Sequence, residues 1–182
     1  MDGDVIEQAL PRGPGALLRR LPRVICPRSW AMTKLYVDAD ACPVKNEAYA
    51  IAKRLKLIVH VVANQWMNMP NDPMIRLEVV DDGFDAADHW IVAQVGRADV
   101  VVTDDILLAE RCVGKGARVI TNRGAVRDAN NIGEALAMRE LMQCVRATGD
   151  NSGNQRPLDE ADRRRFRQEL DRLLQAAQRS PP

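Results

Sequence analysis

From residue 33 onward, short apolar runs rich in Val, Ile and Leu alternate with longer segments whose apolar positions recur at helical spacing. That alternation is how β-α-β units around a mostly parallel sheet are written in sequence. The runs place strands at 35–39 (LYVDA), 57–63 (LIVHVVA), 75–80 (IRLEVV), 99–104 (DVVVTD) and 117–122 (ARVITN). Between the first two, Pro43 suits a first-turn position and Val44, Ala48, Ile51 and Leu55 share one face, which predicts a crossover helix. Further helices are expected at about 85–95, at 105–113 before the glycines of VGKG, and at 132–147. The last of these lines up Ala135, Met138, Leu141, Met142 and Val145 as a stripe expected to meet the sheet. TGDNSGNQRP is a linker by composition, and a final helix at about 158–178 sets Phe166, Leu170 and Leu173 or Leu174 among many arginines. The expected fold is α/β: a mostly parallel central sheet of about five strands, helices on both faces, and a C-terminal helix.

The first 31 residues break the pattern. They begin acidic, are interrupted by Pro and Gly, and lack the apolar core and small-residue cleavage site of a secretory signal. They read as a disordered extension, with an RNA-binding arm as the competing reading, since Arg12, Arg19, Arg20, Arg23 and Arg28 face only Asp2, Asp4 and Glu7. Met32 directly precedes the first strand and is an alternative start. The expected organisation is an extension at 1–31, an α/β domain at 32–149, and a linker with a helix that packs on the domain at 150–182.

Composition narrows the function classes. A chain of 182 residues, 46% hydrophobic and 28% charged, suits one globular domain. Its 26 basic and 25 acidic residues give no global pull on a polyanion, so any RNA contact must come from local patches. Cys26, Cys42, Cys112 and Cys144 lie far apart without a C-x-x-C pair, and there are two histidines, so neither zinc nor a disulfide partner is indicated. A reducing, cytoplasmic setting fits this best. No run approaches the roughly 20 apolar residues that span a bilayer, so no membrane association is expected. Nothing in the sequence fixes an oligomeric state.

Ligands of open parallel sheets bind beyond the carboxyl ends of the strands. Here those ends are acidic. The first strand delivers Asp38 and Asp40, the third Asp81 and Asp82 with Asp85 and Asp88 beyond, and the fourth Asp104 and Asp105. Clustered carboxylates repel one another unless a cation compensates, and all-oxygen ligation favours Mg²⁺ or Mn²⁺. Such an ion polarises a phosphoryl oxygen and activates water, the equipment of phosphodiester hydrolysis. The competing reading is helix capping: Asp85 with Asp88 resembles a capping box, Asp104 suits a cap of the third helix, and Asp40 suits the turn into the first. Capping does not account for Asp88, on the inward stripe with Ile91 and Val92, or for Asp38, inside a strand's alternation.

VDADACP, VANQ, GFDAADHWIV, DVVVTDDILLAE, TNRG and AMRELM, in this order, resemble the bacterial YaiI/YqxD family, a group without an established substrate and with a PIN-like nuclease fold. The resemblance implies a metal-dependent, nuclease-like site of Asp38, Asp40, Asp88 and Asp105. Asp38, Asp88 and Asp105 would hold the metal, and Asp40 would be a further ligand or position the water. Asp104 stands where the family often has a small residue and is not carried over. Where the family often has T-G-G-P, this chain has TGDNSGNQR.

Asn64 and Gln65 follow the second strand on the acidic rim and are candidates for a phosphate or base edge, with loop-capping as the alternative. Arg123 and Arg139 are candidate phosphate contacts through the guanidinium fork. Cys42, near a helix N-terminus, is either an activated or a packed thiol, and the absence of a nearby histidine base favours packing. His60 and His89 have no partner in sequence, and the RRRFR run, interleaved with acids, reads as a solvated face. Two other classes compete with the nuclease: a haloacid dehalogenase-like phosphatase with Asp38 as nucleophile and Asp40 as acid/base, and a non-catalytic metal- or nucleic-acid-binding module.

Overall fold

The computed structural model describes residues 33–40, 42–80, 83, 85–147 and 156–179. The N-terminal extension, all of residues 148–155 in the linker region and Asp81 and Asp82 lie outside the described residues, and so do the expectations placed on them.

Eleven elements follow one another along the described chain: β1 (Lys34–Asp38), α1 (Lys45–Leu55), β2 (Ile58–Ala63), β3 (Ile75–Val79), α2 (Ala86–Gln94), β4 (Val100–Val102), α3 (Ile106–Gly114), β5 (Arg118–Ile120), β6 (Val126–Arg127), α4 (Ile132–Ala147) and α5 (Glu160–Arg179). The strands form one sheet in the order β3-β2-β1-β4-β5-β6. β1 to β5 are parallel, and β6 closes the edge antiparallel to β5. The α/β expectation therefore holds, with six strands instead of five. β6 is only two residues long, paired through the turn in which Gly124 adopts φ +79°.

Parallel crossovers are right-handed, so the direction in which the chain moves across the sheet decides which face each helix covers. The step from β1 to β2 puts α1 on one face. The return from β3 to β4 and the step on to β5 run the other way and put α2 and α3 on the opposite face. The two cores follow this division. Leu35, Val37, Val59, Val61, Val100, Val102 and Ile120 pack with Ala48 and Ile51 of α1 and with Phe166, Leu170 and Leu174 of α5. Tyr36, Val62, Val101 and Val119 pack with Ile91 of α2 and with Leu108 and Cys112 of α3. Each such fully buried Leu, Ile or Phe contributes roughly 1.5–3 kcal/mol of burial. β2 and β3 are joined by an irregular loop, pinned where Asp72 accepts the amide of Met74 at 3.0 Å and pairs with Lys53 at 3.0 Å.

The C-terminal helix α5 packs against α1 and the core on that face of the sheet. Arg54 pairs with Asp171 at 2.7 Å, and Arg163 of α5 pairs with Glu47 of α1. α4 departs from expectation: it packs on α3, buries Ala135, and leaves Met138, Leu141 and Met142 exposed. α2 and α3 already cover that face of the sheet, so the stripe has no strand left to meet. No helix among the described residues is long and apolar enough to cross a membrane, and Cys42, Cys112 and Cys144 are free thiols.

Candidate functional site

The direction of winding reverses between β1 and β4, neighbours in the sheet although two strands and two helices separate them in the chain. Where two parallel strands diverge in this way their following segments leave on opposite faces, and a crevice opens at their carboxyl ends. The residues at those ends are Asp38 of β1 and Thr103, Asp104 and Asp105 after β4.

Alternation along β1 aims Asp38. Leu35 and Val37 belong to the α1/α5 core and Tyr36 to the α2/α3 core, so Asp38 shares the face of Tyr36. Asp88 stands in the first turn of α2 and Asp105 is the N-cap of α3, which brings all three carboxylates to one side of the crevice. Thr103, only 2% exposed, organises them. Its hydroxyl donates to Oδ2 of Asp38 at 2.8 Å and accepts the backbone N–H of Asp105 at 3.0 Å. Its single proton goes to the Asp38 carboxylate while a lone pair takes the Asp105 amide. Asp105 in turn accepts the amide of Leu107 at 2.8 Å. On the other flank, Oδ1 of Asp40 accepts the backbone N–H of Asn64 at 3.3 Å and ties the end of β1 to the end of β2.

The capping roles are distributed differently from the sequence expectation. Asp105, not Asp104, caps α3. Asp104 instead accepts the backbone N–H of Asn122 at 2.9 Å and its side-chain amide at 2.7 Å. Asp85 adopts a left-handed conformation, φ +58°, and makes no side-chain cap, so the capping box with Asp88 does not form. Asp88 is left free of that duty.

The electrostatics follow from the crowding of acids. Burial raises the pKa of Asp38; the Thr103 hydrogen bond opposes this, and the charges of Asp40 and Asp105 add to it. Asp88 is pushed up to about 6, first by burial and then by the charges of Asp105, Asp38 and Asp85, against a smaller opposing effect of Arg111. The donor chemistry suits a hard divalent ion, being carboxylate oxygen throughout. Among the described residues, however, no three His, Cys, Asp or Glu side chains are placed to hold one ion together. The expected triad of Asp38, Asp88 and Asp105 is thus gathered on one face without forming a closed cage. To such an ion the arrangement could supply one or two carboxylates, the usual protein share of a Mg²⁺ site.

The other candidates separate. Asn64 lies at the rim beside Asp40, and its side-chain oxygen is buried without a hydrogen-bond partner; Gln65 next to it is exposed. The guanidinium of Arg123 is engaged by the C-terminal segment. It pairs with Asp162 at the start of α5 and donates to the carbonyl of Arg156, contacts that anchor the C-terminal helix. Arg156 forks onto the same Asp162, with both contacts at 2.8 Å. Burial alone would raise Asp162, but the Arg156 hydrogen bond and the charges of Arg156 and Arg123 outweigh it and hold the carboxyl below its ordinary range. Arg139 lies half-buried on α4, and its guanidinium makes no hydrogen bond or ion pair with a described residue.

Cys42 is packed. Its thiol donates to Oδ1 of Asn122 at 3.3 Å, and burial, with the nearby charges of Asp38 and Asp104, pushes its pKa up to about 12. His60 stacks on Tyr36 with ring centroids 5.2 Å apart and meets Glu78 at 3.1 Å, and His89 lies against the carbonyl of Asp85. Sequence reasoning assigned no role to Thr103 or Asn122. Both end parallel strands, and attention to charged strand ends alone passes over them.

Known proteins share this sequence pattern. Residues 36–176 match the family described as uncharacterised, YaiI/YqxD. The chain is 44% identical over 151 residues to a UPF0178 protein of Paramagnetospirillum magneticum, covering 83% of this chain and 100% of that one. It is 47% identical over 150 residues to a UPF0178 protein of Ruegeria pomeroyi, covering 81% and 97%. A UPF0178 protein of Rhizobium meliloti is 48% identical over 145 residues, covering 80% and 99%. No solved structure matches.

Proposed function

For this chain, which belongs to the YaiI/YqxD family, we propose a divalent-metal-dependent phosphodiesterase of PIN-like type that acts on RNA or a related phosphodiester. One observation carries this reading: a hydroxyl at the end of β4 fixes the carboxylate that ends β1, at the point where the sheet's winding reverses. A carboxylate held there by the fold is available to a ligand entering the crevice. A Mg²⁺ or Mn²⁺ ion, when bound, neutralises phosphoryl oxygens and lowers the pKa of a water.

The chain's own residues divide the remaining work. Asp38 and Asp105, linked through Thr103, hold the ion. Asp40, fixed by the amide of Asn64, orients a water at the outer edge of the crevice. Asp88, with a pKa of about 6, exchanges a proton near neutral pH, which suits a general acid or base. Arg139 is the remaining arginine candidate for a phosphate.

The test is cleavage of labelled single-stranded RNA and DNA with Mn²⁺ or Mg²⁺, comparing wild type with Asp38→Asn and Asp105→Asn, and with a phosphomonoester as control. The amide oxygen introduced by Asp38→Asn can still accept from Thr103, and the one introduced by Asp105→Asn can still cap α3, so both variants should fold. The expected result is phosphodiester cleavage lost in both. Turnover of the phosphomonoester alone, or cleavage unchanged in the variants, rejects the proposal.

A further inference from the structure

Among the described large apolar side chains Trp66 is the most exposed, at 76%. It stands on the loop that leaves the carboxyl end of β2, the strand paired with β1. Asn64, two residues before it, is bound through its backbone to Asp40, so the Trp66 Cα lies within about 7 Å of that anchored residue. The loop does not display the indole by default. Met67 and Met69 on the same loop pack against the α1/α5 core, which fastens the backbone on the far side of Trp66 while the ring stays in solvent.

Two polar features accompany the ring. Lys45, the first residue of α1, reaches the sulfur of Met67 at 3.9 Å, which puts an ammonium at the residue that follows Trp66. The Asn64 side-chain oxygen is buried with no donor, an acceptor whose isolation costs free energy until a donor arrives. A flat apolar ring, a cation and an unused acceptor on the rim of an acidic crevice match the parts of one nucleotide: base, phosphate, and an amine or hydroxyl.

We propose that Trp66 is a stacking platform for one unpaired base, so that the ligand of this rim is single-stranded nucleic acid. The assignment rests on the catalytic reading above for the location of the scissile phosphate, and it adds the substrate class. A base inside a duplex is stacked on its neighbours and has no face to offer, whereas an unpaired base does. The near-neutral chain and its few aromatics make this a single positioning contact, not a long binding track.

The experiment uses the full chain in EDTA, where cleavage is suppressed. Fluorescence anisotropy follows labelled single-stranded RNA, single-stranded DNA and a duplex of the same sequence with wild type, Trp66→Phe and Trp66→Ala. The expected result is single strands bound more tightly than duplex, affinity on the order of tenfold weaker in Trp66→Ala, and most of it kept in Trp66→Phe. An exposed side chain can be removed without loss of fold, and an unchanged thermal midpoint of Trp66→Ala checks this. Equal binding by wild type and Trp66→Ala, a preference for duplex, or no binding overturns the proposal. Parallel cleavage assays with Mn²⁺ separate the two readings. Trp66-dependent binding without cleavage rejects the catalysis and keeps the platform. Cleavage that needs Asp38 while Trp66→Ala binds and cuts as wild type does the reverse.

Discussion

The hydroxyl of Thr103 donates to Oδ2 of Asp38 across 2.8 Å, so the end of β4 holds the carboxylate that ends β1. The two residues are 65 positions apart in the chain, yet parallel pairing of Val37 with Val102 sets them side by side. Replacing Thr103 by Val keeps the shape and removes the bond, leaving Asp38 with its backbone hydrogen bond from Asp40 and the amide of Asp105 without the hydroxyl it donates to. Such a loss costs about 1–3 kcal/mol. Thr103→Val should therefore unfold at lower urea, and the Asp38 carboxyl should titrate at higher pH than in wild type, read by carboxyl-carbon NMR. Thr103→Ser should restore both.

Asp88 gives a pH dependence whose sign is unusual for a carboxylate. Its folded-state pKa, about 6, lies above the unlinked value of 3.8. Between these values the folded state binds more protons than the unfolded one, so stability falls as pH rises through this window. The cost is fully present above about pH 6 and absent below about pH 4. In EDTA, Asp88→Asn should melt at a higher temperature than wild type near neutral pH, and the gap should close as the solution is acidified. A gap that is constant with pH would mean that the carboxyl is not under the strain described.

The positions of β1 to β5 and of all five helices were legible because apolar runs and helical spacing are local. Leu35 and Val37 alternate with Tyr36 and Asp38 along the sequence, and that is enough to say which face the aspartate takes. What was not legible depended on contacts between distant residues. β6 is Val126–Arg127, too short to carry a period. The stripe Met138, Leu141 and Met142 identified a helix but not its neighbour, and in the fold it faces solvent. Arg123 follows the strand it was expected to follow, but its guanidinium is claimed by Asp162, 39 residues away. Thr103 and Asn122 escaped because a hydroxyl or an amide at a strand end looks like any turn residue until its partner is in place.

Gly124 shows where backbone freedom is required. It sits at φ +79° in the β5–β6 turn, and a Cβ there would lie 2.7 Å from the amide nitrogen of Phe166 and 2.9 Å from the carbonyl carbon of Arg165. Neither backbone atom can yield unless α5 moves. Gly124→Ala should cost about 1–3 kcal/mol or more. The loss should be accompanied by faster hydrogen exchange in α5, since Phe166 is buried beneath that turn. Gly133→Ala is the control: a Cβ there meets nothing within 4 Å in the first turn of α4. That change should stabilise by about 0.5–1 kcal/mol.

Asp105 has two roles that one pair of variants can separate. As the N-cap of α3 it accepts the amide of Leu107 at 2.8 Å, and an asparagine oxygen can do the same. As an acid beside Asp38 and Asp88 it contributes the charge that raises both of their pKa values, and an amide cannot. Asp105→Ala should lose about 1 kcal/mol of stability through the cap, and Asp105→Asn almost none. If Asp105 served only as a cap, the activity of Asp105→Asn would match wild type. If it also holds the ion, both variants should lose cleavage equally while their urea midpoints differ. The midpoints and the cleavage rates, taken on the same three proteins, decide between the capping and ligand readings of this aspartate.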